Sequence, residues 1–290
     1  MRRVLLIRNP TARRGVADLT PVHARLAGSR IAVLSVTPAS AEDVTAAILR
    51  HRGQIDAVVV AGGDGSLNAA APGLLEAGLP FGILPLGTAN DLARTLAIPS
   101  DPVAAAAVVA SGLTRALDVG SVNARPFFNV ASIGPSASLA RTLTGAGKRR
   151  WGRLGYAGAG LRVLARARSF QARIRHAGVT ADVRTWQIAV GNGRHYGGGN
   201  VVATDAAIDD ARLDLYSLEF PSAWKLPLML PAFRTGAHGT WREVRTMRGV
   251  AFDVATRRPR PVNADGELVT ETPAQFRVHP AALRVFVPDR

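Results

Sequence analysis

The stretch Val58-Val59-Val60-Ala61-Gly62-Gly63-Asp64-Gly65-Ser66-Leu67-Asn68 constrains this chain more than any other. A short apolar run, a glycine cluster and an Ala/Leu-rich continuation predict a buried strand, a tight loop and a helix. Glycines let backbone N–H groups converge on an anion, because no Cβ blocks the approach or positive φ values. The helix that follows adds the partial positive charge of its N-terminus. Asp64 is an acid in a loop otherwise suited to anions. It fits a site that handles a divalent cation or a proton beside phosphates, and it equally fits a plain strand-to-helix turn with Asp64 as helix cap.

A second loop of the same kind follows. Phe81-Gly82-Ile83-Leu84 reads as another apolar strand, running into Pro85-Leu86-Gly87-Thr88-Ala89-Asn90-Asp91-Leu92-Ala93-Arg94. In a parallel sheet such loops gather at the carboxyl ends of the strands, where ligands bind, so two loops of matching chemistry imply one nucleotide site. Together, the run Gly62 to Asn68 and the run Pro85 to Asp91 resemble the catalytic domain of the diacylglycerol kinase and sphingosine kinase superfamily, especially its soluble bacterial lipid kinases. NAD kinases share the Gly-Gly-Asp-Gly element and a related fold; the Gly-Thr-Ala-Asn-Asp-Leu-Ala-Arg run favours lipid kinases.

The chain has 290 residues, 47% of them hydrophobic, enough for two domains with separate cores. It has no cysteine, which excludes a disulfide framework and thiolate metal sites. No apolar run is long enough to span a bilayer, and Met1-Arg2-Arg3 leads into a strand rather than a signal peptide, so a cytoplasmic protein is expected. The net charge of +15 is nearly all arginine, with Lys148 and Lys225 the only lysines. No nucleic-acid-binding motif accompanies it, so no nucleic acid partner is expected. The expected partner is an anionic membrane surface carrying a lipid substrate, visited peripherally, and a homodimer is compatible with the sequence.

Taken in order, Arg3-Val4-Leu5-Leu6-Ile7 is the first strand, followed by Asn9-Pro10-Thr11-Ala12-Arg13-Arg14-Gly15. That loop resembles the family's Asn-Pro-x-Ser-Gly loop, with Ala12 and Arg13 in place of Ser-Gly. The resemblance implies nucleotide contacts from Asn9, Pro10, Thr11 and Arg13; a solvated basic turn is the other reading. Thr20-Pro21 should begin a helix as cap and first residue, ending at Gly28. Strand 31–36 leads to Thr37, which matches a nucleotide-contacting threonine of the family. Ser40 to Asp43 is a capping box for the helix up to Arg52, ended by Gly53, and strand 57–61 follows. This alternation predicts a parallel, doubly wound sheet. Asp101-Pro102 starts an alanine-rich helix that ends at Ser111-Gly112, after which Arg115 to Gly120 crosses into a different architecture. The segments 125–131, 171–176, 181–190 and 213–218 are β-like and indicate an antiparallel sandwich. The expected fold is therefore α/β. A doubly wound, Rossmann-like (NAD kinase-like) domain spans 1–118, with a final strand in 279–290 returning to it, and a β-sandwich lipid-substrate domain spans 119–278.

The resemblance assigns the site residue by residue. Gly62, Gly63, Asp64, Gly65, Ser66, Leu67 and Asn68, with Gly87, Thr88 and Asn90, would surround the phosphates of ATP. Asp64, Asp91 and Asp118 would form a water-linked network around magnesium; taken alone, Asp118 is a strand-end carboxylate. Gly191 to Gly199 is a second glycine cluster, but it lacks a following helix, and by resemblance it lines the substrate side. Thr204 to Asp214 holds four aspartates in eleven positions, the oxygen-rich composition a hard cation wants. There the resemblance implies a structural Mg2+ on Asp210 and the carbonyls of Ala207 and Arg212, although Thr204 and Ala211 replace Pro and Gly; an acidic solvent turn is the alternative. The basic segment Gly145 to Trp151 reads as a connector or a lipid-docking element, and Trp224 to Phe233 as acyl-chain lining or core. Asn263-Ala264-Asp265-Gly266-Glu267 resembles the family's Asn-x-Asp-Gly-Glu turn, whose Glu is the proton acceptor, while Asp265-Gly266 alone is a strong hairpin signal. The expected activity is ATP- and magnesium-dependent phosphorylation of a diacylglycerol-like lipid hydroxyl in an inter-domain cleft. The alternatives are an NAD kinase-like enzyme and a nonenzymatic nucleotide- or lipid-binding protein.

Overall fold

The structure, a computed structural model, describes residues 2–9, 12, 18–135, 167–222, 225 and 229–289. Pro10, Thr11, Arg13, the segment from Gly145 to Trp151 and Trp224 lie outside the described residues. The chain forms two compact units. The first comprises Met1–Val119, Gly197–Gly199 and Pro280–Arg290, and the second Gly120–Tyr196 and Asn200–His279.

In the first unit, strands β1 (Arg2–Arg8), β2 (Ile31–Val36), β3 (Ala57–Gly62) and β4 (Phe81–Pro85) form a parallel sheet in the order β2-β1-β3-β4. β3 is buried along its whole length, as a strand covered on both faces must be. The cover comes from α1 (Thr20–Gly28) packed with α5 (Pro102–Ser111), and α2 (Ala41–His51) packed with α3 (Asp64–Ala77). Between α3 and α5 lies the short α4 (Asp91–Thr95). Local chemistry sets the boundaries. Ser40 and Asp43 make both halves of the capping box, at 3.1 Å each, and Asp101 caps α5 through the Ala104 amide at 2.7 Å. Thr20 is not the cap of α1 but its first residue. Asp18 does the anchoring, accepting both the amide (2.9 Å) and the hydroxyl (2.6 Å) of Thr20.

The second unit is built of antiparallel strands. One sheet runs β14-β13-β10-β7-β16-β17, composed of β7 (Val130–Ile133), β10 (Ile188–Gly191), β13 (Leu213–Leu218), β14 (Val244–Gly249), β16 (Pro261–Ala264) and β17 (Glu267–Glu271). The facing strands are β8 (Phe170–His176), β9 (Val179–Thr185), β15 (Ala251–Thr256) and the first part of β18 (Ala274–Phe286). Inward side chains of both sets, among them Ile133, Ile174, Ile188, Leu215, Phe252 and Phe276, share one core. The stretch 181–190 is two strands, not one. The chain turns from one sheet to the other at Trp186-Gln187, where Trp186 Nε1 donates to the Phe220 carbonyl (2.9 Å) and Thr185 Oγ1 to that of Leu218 (3.0 Å). The segment 125–131 likewise divides, after Phe127. Among the described residues, no helix is long and apolar enough to cross a membrane.

Candidate active site

Strand order β2-β1-β3-β4 places a topological switch between β1 and β3, and their carboxyl ends are where a doubly wound sheet opens a crevice. The loops there are tied together. Asn9, just beyond β1, donates its side-chain amide to Ser66 Oγ (2.8 Å) and its backbone N–H to the Ala61 carbonyl (3.1 Å). The β3 and β4 loops touch backbone to backbone: a Cβ on Gly87 would lie 2.5 Å from Gly63 Cα and 2.6 Å from Asn90 Oδ1, and one on Gly63 would lie 2.9 Å from Gly87 Cα. A Cβ on Gly62 would collide with Ser66. None of Gly62, Gly63, Gly65 and Gly87 has positive φ, and at Gly62, Gly63 and Gly87 close approach rather than backbone freedom is what demands glycine.

Asp64 does cap a helix, but not its own. Its carboxylate accepts the amides of Asp91 (3.1 Å) and Leu92 (3.2 Å) at the start of α4. Asn90 supports the same loop from a left-handed conformation (φ 49°), with Oδ1 accepting the Gly87 amide (3.0 Å) and Nδ2 donating to the Gly87 carbonyl (3.1 Å). The amides of Asp64 and Gly65, in the first turn of α3, lie ahead of any intrahelical acceptor. That of Ser66 does not: it already donates to the Gly63 carbonyl (2.9 Å). Leu67 is buried core and offers no side-chain contact to a ligand. Thr37 and Thr88 are exposed, and Asn68 sits on α3.

Asp91 is buried, and its carboxylate accepts the amides of Gly198 (2.9 Å) and Gly199 (3.0 Å). Burial pushes its pKa up, the two glycine amides oppose the shift, and the nearby charge of Asp64 adds to it. Asp118 accepts the Ala281 amide at 2.7 Å. Sequence reading missed the Gly198–Gly199 contribution, because nothing local joins a glycine turn to a carboxylate 107 positions away.

In the second unit, Arg248 takes up two of the four aspartates of the acidic loop. It forks both oxygens of Asp205 (2.7 and 2.9 Å) and reaches Asp214 with Nε (2.8 Å). Asp210 accepts backbone amides of Arg212 (3.1 Å) and Ala207, and burial raises its pKa against both. A single desolvated carboxylate in a turn of backbone carbonyls is a donor set that suits a hard cation. Among the described residues no group of three or more acidic, His or Cys side chains exists to hold a metal.

The hairpin joining β16 and β17 has Asp265 and Gly266 at φ 47° and 98°, the backbone of a type I′ turn. The Asp265 carboxylate accepts three amides, those of Phe128 (2.7 Å), Asn129 (3.0 Å) and Val130 (2.9 Å), while Asn263 Oδ1 accepts the Gly266 amide (3.1 Å). The turn is thus firmly structural, and it presents Glu267 at the start of β17 as an exposed carboxylate.

Residues 3–122 match the diacylglycerol kinase catalytic domain, and residues 129–287 match the YegS C-terminal NAD kinase beta sandwich-like domain. A Mycobacterium tuberculosis protein named diacylglycerol kinase is 32% identical over 302 residues, covering 99% of this chain and 95% of the relative. The chain belongs to the diacylglycerol kinase family. A Pseudomonas aeruginosa protein named "Probable lipid kinase YegS-like" is 33% identical over 235 residues, 80% of this chain and 76% of that one. The fold is shared with the crystal structure of a diacylglycerol kinase from Bacillus anthracis, at TM-score 0.78 and 19% identity over 99% and 97% of the two chains. In this member of the diacylglycerol kinase family, the paired glycine loops fall in the first matched region, and Asp210 and Glu267 in the second.

Proposed function

We propose that the chain transfers the γ-phosphoryl group of ATP to the hydroxyl of a diacylglycerol-like lipid. The observation that carries the reading is the backbone contact between Gly63 and Gly87 beyond the ends of β3 and β4, next to the switch point, which sets two polar loops side by side. Phosphoryl transfer needs positioning and charge neutralisation more than covalent chemistry. The open amides of Asp64 and Gly65 and the side chains of Thr88 and Asn90 bind and orient the phosphates. Magnesium, when bound, supplies further neutralisation, and the charge crowding between Asp64 and Asp91 is what a cation held through water by these two, with Asp118, would relieve. Glu267 holds the proton of the acceptor hydroxyl during attack, since an alcohol is a weak nucleophile until relieved of it. The net charge of +15 supports peripheral attraction to an anionic bilayer.

Radiolabelled ATP, offered with mixed micelles of diacylglycerol and separately with NAD, tests the reading. Label in the lipid phase and none in NAD is expected; label in NAD alone would replace the proposal. A second expected result concerns the loop contact. Gly87→Ala forces a methyl group against Gly63 Cα, an overpacking cost of about 1–3 kcal/mol, so ATP binding measured by calorimetry should weaken about ten- to a hundredfold. For the acidic loop, which would hold a structural Mg2+ on Asp210 with the carbonyls of Ala207 and Arg212, adding Mg2+ should raise the melting temperature of the parent protein. Asp210→Ala should erase that rise, and an equal rise in both proteins would remove the ion from this loop.

A further inference from the structure

The outward face of β9, β8, β15 and the first part of β18 in the second unit has no place in the chemistry above. Its inward neighbours, such as Ile174, Val183 and Phe252, are core, while the alternate residues face solvent around a groove of about 790 Å³. The charges there do not cancel. Both acids are already matched: Asp182 is forked by Arg173 (2.8 and 3.1 Å), and Asp253 lies 2.7 Å from Arg277, a charge contact without hydrogen-bond alignment. Arg175, Arg184 and Arg257 line the same groove with no ion pair among the described residues; Arg184 Nε donates to Ser169 Oγ at 3.0 Å.

One end of this sheet also carries apolar tips. Val179 and Val250, each 61% exposed, are the most exposed large hydrophobic residues among those described. They stand at the turns between β8 and β9 and between β14 and β15. His176 fastens the two turns together: it packs on Phe252 at 4.6 Å, presses against Gly249, and its Nδ1–H donates to the Ala251 carbonyl at 2.9 Å. Arg175 adjoins these tips, while Arg184 and Arg257 stand toward the other end of the same strands; a row of surplus cations ending in exposed valines suits a bilayer, whose phosphates meet the cations while the valines enter the headgroup layer. Nucleic acid fits less well, because no aromatic residue lines the groove to stack on a base.

We propose that this face docks on the anionic surface of a phospholipid bilayer. The proposal rests on the lipid-kinase reading, which puts the substrate there. The full chain is floated with phosphatidylglycerol-rich vesicles, with neutral phosphatidylcholine vesicles, and with duplex DNA as competitor. The parent should float with the anionic vesicles alone, and less at high salt. The triple variant Arg175→Gln, Arg184→Gln, Arg257→Gln should partition about a hundredfold more weakly, since each arginine near the surface is worth about a fivefold factor. The pair Val179→Asp, Val250→Asp, which alters exposed turn residues, should weaken floating without moving the melting temperature. Variants that float like the parent overturn the proposal, as does DNA displacing the vesicles through the same three arginines. Assaying phosphate transfer on monomeric short-chain diacylglycerol separates the two readings. Unchanged transfer there, with a loss on vesicle-borne lipid, supports docking. A parent that floats through this face but phosphorylates no lipid leaves docking standing and removes the kinase.

Discussion

Exchanging Glu267 for glutamine is expected to lower kcat by about 10²–10⁴-fold, the usual range for a lost general base. Stability should stay close to that of the parent, because Glu267 is exposed and glutamine keeps its size and its hydrogen-bonding oxygen. The amide keeps the size of the carboxylate but cannot take a proton. ATP affinity should be unchanged, since the paired glycine loops belong to the other unit of the chain. Steady-state kinetics on micellar diacylglycerol, with a thermal melt beside it, reads both quantities. An undiminished kcat would leave Glu267 as one more residue of a structural hairpin.

Two positions earlier, the opposite pattern is expected. Asp265→Ala strands three amides, those of Phe128, Asn129 and Val130, which now share one carboxylate. Hydrogen bonds to a charged acceptor are worth about 1.5–3 kcal/mol each, and because the three are not additive, the net loss should be at least about 3 kcal/mol. Denaturant unfolding should show a lower midpoint at unchanged slope. Asp265→Asn keeps one acceptor oxygen and should recover about half of the loss. Turnover should fall along with stability, because the same turn fixes the start of β17. A midpoint unmoved by Asp265→Ala would mean that the loop 128–130 finds other acceptors.

Much of this fold is written locally. The capping box at Ser40, the cap at Asp101, the apolar β3 and the Asp265-Gly266 turn each depend on a few adjacent residues, and each forms. What escaped depends on distance in the chain. Each half of 181–190 obeys a period of two, but the phase shifts at the corner, from Ala181 and Val183 to Ile188 and Val190, and the bend is fixed by the carbonyls of Leu218 and Phe220, more than thirty residues on. The glycines of the first loop read as room for an anion's approach or for positive φ, whereas the structure also uses them to let two backbones touch, and that needs Gly87 in place before it can be seen. Asp64 has the composition of a cap, but the helix it caps begins 27 residues later. The edge strand β14 gives little apolar alternation, as most of its side chains face water.

The engagement of Asp91 by Gly198 and Gly199 bears on how this protein can be cut. An excised fragment ending near residue 119 would strand a buried acid without its two donors, and would also lose the stretch 280–286, whose Val285 pairs with Phe81 at the border of β4. Such a fragment should be poorly soluble despite its complete-looking βαβ order. A minimal version of the first unit must instead be spliced from three separated pieces, with short linkers standing in for everything between them.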